Sequence, residues 1–113
     1  MHVGALRTAF VMHFAPLLRD VVIAGDRRNE PAALVFLAAP APREELLRRL
    51  RSFAAQATGS SNRIARLLVL EEPPSLDAGE MTDKGTINQR AVLARRAALV
   101  DELYAGSPRV LAA

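Results

Sequence analysis

Residues 32–70 read AALVFLAAPAPREELLRRLRSFAAQATGSSNRIARLLVL. The stretch opens on an apolar run at 32–37 and closes on another at 64–70, with an amphipathic segment between them. The first run, rich in Leu, Val and Phe, reads as a strand. Pro40 and Pro42 stiffen the connector, and Pro42 suits a helix start. Over residues 43–58 Leu46, Leu50, Phe53, Ala54 and Ala57 fall on one stripe, so a helix is predicted that Gly59 would close. Arg48, Arg49 and Arg51 make a basic cluster on it, but Glu44–Arg48 and Glu45–Arg49 are spaced to pair, which describes a solvated face. Residues 60–62 form a loop, and 64–70 is the next strand. Strand, helix, strand at this length predicts a crossover and hence a parallel pair.

Upstream, the β-branched run within residues 19–24 predicts another strand. A charged turn, residues 25–31, joins it to the strand at 32–37. That link has no room for a crossover helix, so this pair should be antiparallel. Near-continuous apolar runs imply a sheet covered on both faces. Arg27 and Arg28 in the turn offer either a docking patch or an ordinary solvated turn, and the second is the simpler reading. Before them, residues 3–15 read as a helix with Leu6, Phe10, His13, Phe14 and Leu17 recurring at helical spacing, ended by Pro16. His13 is read as a packed histidine and His2 as a solvated one, neither as a catalytic group.

Downstream, residues 71–75 (EEPPS) end the sheet, and an aperiodic loop runs over residues 76–85. Thr86 and Gln89 fit a capping box, so a last helix should start near Ile87, with Val92, Leu93, Ala97, Leu99, Val100, Leu103 and Tyr104 inward. Arg90, Arg95, Asp101 and Glu102 should face outward, and Gly106 and Pro108 should stop the helix. The economical architecture is α+β: a small three-stranded mixed sheet packed with about three helices, one domain over residues 1–113.

Composition narrows the functions. Half the residues are hydrophobic and 24% are charged, the balance of a globular chain. No apolar run approaches the roughly 18 residues that span a bilayer, and no secretory leader is evident, so no membrane partner and a cytoplasmic location are expected. The absence of cysteine excludes disulfides and thiolate chemistry in this chain. Two distant histidines make a zinc site an unattractive reading, and no metal ligand is assigned. The net charge is +3, yet the arginines are scattered among acids and the aromatics are four Phe and one Tyr. Nucleic-acid binding asks for a basic face with stacking rings, so no nucleic-acid partner is expected.

The same arginine bias singles out one residue. Of fifteen Lys and Arg residues, fourteen are arginine, and Lys84 is the sole lysine. Lysine brings a compact mobile charge where arginine brings a planar fork. Lys84 lies in the long loop, beside Gly85 and two residues before the predicted N-cap, where an ammonium and the first helical N–H groups would together attract an anion. The plainer alternative is a surface lysine beside an ordinary cap.

The run TDKGTINQRAVL at residues 82–93 resembles the last conserved motif of adenylate-forming acyl-CoA synthetases, most of all the feruloyl-CoA synthetase-like branch. Residues 21–26 (VVIAGD), 33–36 (ALVF) and 3–7 (VGALR) fit the same branch in the same order, so the likeness spans nearly the whole chain. It implies the small, mobile α+β C-terminal domain that closes over a much larger N-terminal adenylation domain of the same enzyme. By the resemblance Lys84 is the catalytic lysine of acyl-adenylate formation, Gly85 and Thr82 lie against substrate, and Thr86 and Gln89 only fix the helix start. The full-length enzyme would be a bacterial acid–CoA ligase (AMP-forming) that takes ATP, Mg2+, CoA and an aromatic or other carboxylic acid, and its domain rotates for thioester formation. Many members place glycine before the lysine and a basic residue three positions after it. Here Asp83 precedes Lys84, Gly85 follows, and the next basic residue is Arg90. With no phosphate-binding loop in the sequence, the chain is read as a fragment inactive alone, with no cofactor expected on it. A free-standing basic module for a nucleotide, RNA or an acidic protein is the reading from another class.

Overall fold

The structure is a computed structural model that describes residues 3–25, 31–57 and 63–113. His2, Arg27, Arg28, the predicted stop at Gly59 and the loop at 60–62 lie outside the described residues. In chain order the elements are α1 (Val3–Phe14), β1 (Leu18–Ala24), β2 (Ala32–Leu37), α2 (Arg43–Ala55), β3 (Arg66–Val69), α3 (Gln89–Arg95), α4 (Ala97–Ala105) and β4 (Leu111–Ala112).

The expected α+β class and mixed sheet are present, with two differences in count. The described sheet has four strands in the order β1-β2-β3-β4, and the final helix is two helices, making four. β1 and β2 are antiparallel with Val21 opposite Val35. β2 and β3 are parallel with Leu34 opposite Leu68, as the strand–helix–strand pattern requires. β4 pairs antiparallel with β3 through Leu67 and Leu111. It is only two residues long and carries no periodicity of its own, so the sequence announces no strand there.

Alternation along the strands divides the core in two. Val21 and Ile23 of β1, Ala33 and Val35 of β2 and Leu67 of β3 face α1 and α2, where Phe10, Phe14, Leu46 and Leu50 are buried. Val22, Leu34, Phe36 and Leu68 face the other way, onto Val92 of α3 and Leu103 of α4. Both faces are covered, which is why the strands read as apolar runs rather than alternating ones.

Ion pairs tie the first layer together. Asp20 accepts two bonds from Arg7 Nη2, at 2.6 and 2.7 Å. On α2 the Glu45–Arg49 pair forms as its spacing suggested, and Glu45 also takes Arg48, in place of the expected Glu44–Arg48 pair. Arg49 also donates to the carbonyl of Ala15 at 2.9 Å, closing the end of α1. The basic cluster of α2 is thus largely engaged within the fold. His13 packs edge-on against Phe53, with centroids 5.3 Å apart, as a packing histidine should. Among the described residues no helix is long and apolar enough to cross a membrane.

Candidate functional site: the Lys84 hairpin

The loop before α3 is a small hairpin. Met81 and Ile87 form an antiparallel bridge. The Thr82 N–H donates to Thr86 O at 2.8 Å, and the Gly85 N–H donates back to Thr82 O at 2.9 Å. The loop between the two threonines is therefore Asp83-Lys84-Gly85, and Gly85 has φ 86°. Three-residue hairpin loops call for a residue in the left-handed region at that last position, which glycine adopts without a Cβ clash. The threonine hydroxyls meet across the hairpin at 2.6 Å and lock its neck.

This geometry corrects the reading of the helix start. Thr86 belongs to the hairpin and caps nothing. Asn88 is the N-cap: its Oδ1 accepts from the Ala91 N–H at 3.2 Å. Helix α3 begins at Gln89 rather than near Ile87. Lys84 then lies four residues ahead of the cap rather than two, and the Ala91 N–H is already bonded by Asn88. Gln89 does more than fix the helix start. Its Nε2 donates to Val21 O and its Oε1 accepts from the Ile23 N–H, each at 3.1 Å. It thereby pairs with the open edge of β1 and fastens α3 to the sheet.

Lys84 and its hairpin neighbours Thr82, Asp83, Gly85 and Thr86 are all exposed. Among the described residues the ammonium has no hydrogen bond or ion pair, and the adjacent Asp83 does not take it. The structure thus brings Thr82, Lys84 and Gly85 together on one exposed tip, with no wall of described residues around them. Lysine ammonium is strongly hydrated and mobile, so its charge would be used only once another surface encloses it.

Below the exposed tip the root is dry. Glu80 is fully buried and Arg96 is 6% exposed. Glu80 Oε2 accepts from Arg96 Nε at 2.8 Å, and Oε1 accepts from Arg96 Nη2 at 2.9 Å, a bidentate pair. Oε1 also takes Arg95 Nη1 at 3.0 Å and the Ser75 N–H at 2.9 Å. Arg96 reaches onward to the carbonyls of Glu72 and Pro73, at 2.9 and 3.0 Å, and its guanidinium lies 5.3 Å from the Phe36 ring centroid. Bonding by Arg96, helped by the Ser75 N–H, holds the Glu80 carboxyl below its ordinary range against burial, which would raise it. Arg96 also marks the break between α3 and α4, with φ −109° and ψ 34°. Sequence reasoning missed this pair. The available signal was that position 96 falls on the apolar stripe with Val92, Val100 and Leu103. An arginine there requires a buried acid.

Among the described residues there is no group of three or more His, Asp or Glu able to hold a metal ion.

Residues 5–108 match the family model described as AMP-binding enzyme C-terminal domain. The fold is similar to the A domain of a carboxylic acid reductase from Segniliparus rugosus, solved in complex with AMP and a co-purified carboxylic acid. The TM-score is 0.71 at 20% identity, over 94% of this chain and 18% of that one. It is similar as well to the A-PCP didomain of carboxylic acid reductase from the same organism, in complex with AMP, with TM-score 0.61 and 20% identity over 92% of this chain and 16% of that one. The unliganded O-succinylbenzoate coenzyme A synthetase from Bacillus subtilis is a third likeness, with TM-score 0.51 and 14% identity over 98% of this chain and 19% of that one. The chain therefore spans less than a fifth of the length of each of these structures. No curated protein matches it.

Proposed function

The chain belongs to the family of AMP-binding enzyme C-terminal domains, and from that premise we propose that it is the lid of a feruloyl-CoA synthetase-like acid–CoA ligase, with Lys84 as its catalytic lysine. The observation that carries the proposal is the placement of the sole lysine: exposed, and unpaired among the described residues, on a hairpin whose root is buried.

In adenylation an oxygen of the substrate carboxylate bonds to the α-phosphorus of ATP, and the bond from that phosphorus to the leaving pyrophosphate breaks. Two anions must approach, and charge gathers on the phosphoryl oxygens. An ammonium brought there by lid closure offsets both, and it acts most strongly once water is excluded. Thr82 and Gly85 border the lysine and would lie against the adenylate. Gly85 allows close approach because no side chain projects from it. The lid then rotates as a body, a hinge-type change, so that the CoA thiol, losing its proton, can bond to the acyl carbon while the acyl–phosphate C–O bond breaks and AMP leaves.

The donors here do not fit Mg2+, since the described residues hold no carboxylate cluster, and the sequence has no glycine-rich phosphate loop. On this reading ATP, Mg2+, CoA and the acid are held by the N-terminal adenylation domain of the same enzyme. The two kinds of relative differ in the step after activation, one being a reductase and the other a coenzyme A synthetase. The motif at residues 82–93 favours CoA as acceptor and an aromatic acid as substrate. A free-standing basic module is less well supported, because Arg48 and Arg49 are engaged by Glu45 and Arg49 also by the end of α1.

The test is pyrophosphate release with ATP and hydroxycinnamates. The chain alone should release none, and joining it to the matching adenylation domain should restore turnover. In that full-length enzyme Lys84→Ala should lower adenylation about 100-fold or more, the scale of losing one preorganised charge-stabilising group. Robust turnover by the chain alone, or a Lys84→Ala enzyme at the wild-type rate, would refute the reading.

A further inference from the structure

The Lys84 tip is held by a single buried carboxylate, and the number of segments that converge on it exceeds what closing a hairpin requires. Glu80 precedes the hairpin. Its side chain takes Arg96 twice, Arg95 once and the Ser75 N–H. Its backbone carbonyl takes the Asn88 N–H at 2.8 Å, where the hairpin returns to α3. The Glu80 N–H donates to Ser75 O at 2.9 Å. Arg96 carries the same anchorage to Glu72 and Pro73, just past β3, and over Phe36 of β2. Both ends of the hairpin, the exit of the sheet and the junction of α3 with α4 are thus referenced to one point.

We infer that Glu80 and Arg96 are positioning residues for the adenylation step, fixing the height and direction of the hairpin so that the Lys84 ammonium arrives at one place when the lid closes. The inference rests on the reading of Lys84 as the catalytic lysine. The physical need is clear: the lysine stem is long and mobile and its tip is exposed, so its base must be rigid. A misplacement of 1 Å can cost about 100-fold in rate. The chemistry of the anchor is specific to its residue types. Only a guanidinium offers a planar fork to a carboxylate while keeping a further donor for carbonyls, and Arg96 uses Nε, Nη1 and Nη2 in this way. Glutamine at position 80 keeps the shape but, in either amide orientation, turns one acceptor into a donor facing Arg96.

The experiment compares Glu80→Gln, Lys84→Ala and the double variant in the full-length enzyme, with hydrogen exchange on the same proteins. Glu80→Gln should lower kcat for adenylation about tenfold or more while KM for ATP and acid stays within about twofold. On the Lys84→Ala background the same change should lower the residual rate by less than about twofold, because Glu80 acts through Lys84. The Thr82 and Gly85 amides should exchange faster in Glu80→Gln while those of β1 and β2 do not. Equal rate losses on both backgrounds would overturn the inference, since a merely structural anchor acts regardless of Lys84. Wild-type kcat in Glu80→Gln beside an inactive Lys84→Ala enzyme would also overturn it and leave the reading of Lys84 intact. A Lys84→Ala enzyme at the wild-type rate would instead remove the reading itself. If Glu80→Gln does not fold, Arg95→Ala decides. Arg95 is half-exposed and reaches the same carboxylate oxygen. It should show a smaller kcat loss with the same dependence on Lys84, and a loss independent of Lys84, or none, overturns the inference.

Discussion

Three charged groups in this chain, Lys84, Arg96 and Glu102, have different surroundings and so different uses. Lys84 is exposed, and its singularity was legible because no other lysine competes with it in the sequence, whereas its lack of a partner among the described residues was not. Arg96 is buried, and its role was hidden because its acid partner lies sixteen residues away in an aperiodic loop. Acids in loops are ordinarily exposed, so nothing local marks Glu80 as buried. Glu102 sits between these extremes. It accepts from Arg109 and from the Ser107 hydroxyl, which together lower its pKa to about 2 from an ordinary 4.5. A carboxyl with a depressed folded pKa contributes stability above its unfolded pKa and loses it as pH falls toward the folded value. The contribution should therefore be present at pH 6 and fade between about pH 4.5 and 2. Comparing melting temperatures of the wild-type and Glu102→Gln proteins checks this. The gap between them should narrow as the pH drops through that window, and should also narrow in high salt.

At the level of elements, periodicity gave the strands and helices well and their ends less well. Residues 86 and 88 are both good capping types three residues before a plausible helical N–H. The choice between them is made by the hairpin: Thr86 is held across it by Thr82, which leaves the helix start to Asn88. A hairpin of two threonines around Asp-Lys-Gly has too few apolar positions to show an alternating pattern. The single predicted final helix breaks at Arg96, the residue whose guanidinium binds Glu80, and α4 restarts and ends on Gly106 at φ 73°, a left-handed stop that the sequence did announce. Replacing Asn88 by alanine removes the one side-chain cap of α3. It should destabilise the protein by about 1 kcal/mol in urea unfolding and leave the slope of the transition unchanged. An equal effect from Thr86→Ala by loss of a cap is not expected.

For the molecule as a whole, the sheet is the shared wall of two apolar layers, so the two layers are expected to form together. The class, the antiparallel β1–β2 pair and the parallel β2–β3 pair were all legible from the apolar runs and the intervening helix. The fourth strand was not, because two residues gain their strand character only from the β3 edge they meet. Leu34 is fully buried on the layer with α3 and α4, and Leu50 on the layer with α1 and α2. Each, truncated to alanine, should lower stability by about 2–5 kcal/mol. Both should do so in one cooperative transition, seen at the same denaturant concentration by circular dichroism and by Tyr104 fluorescence. Two separated transitions would show that the layers fold independently.

The exposed apex at residue 84 has a practical corollary. The chain presents one ε-amine, and that amine is exposed and makes no hydrogen bond or ion pair with a described residue. An acylating dye or crosslinker that reacts with side-chain amines therefore has a single address, and a lysine-specific protease has a single bond to cut, between Lys84 and Gly85. The group we assign to chemistry is also where a probe can report, with no engineering, whether that apex is open to solvent or covered.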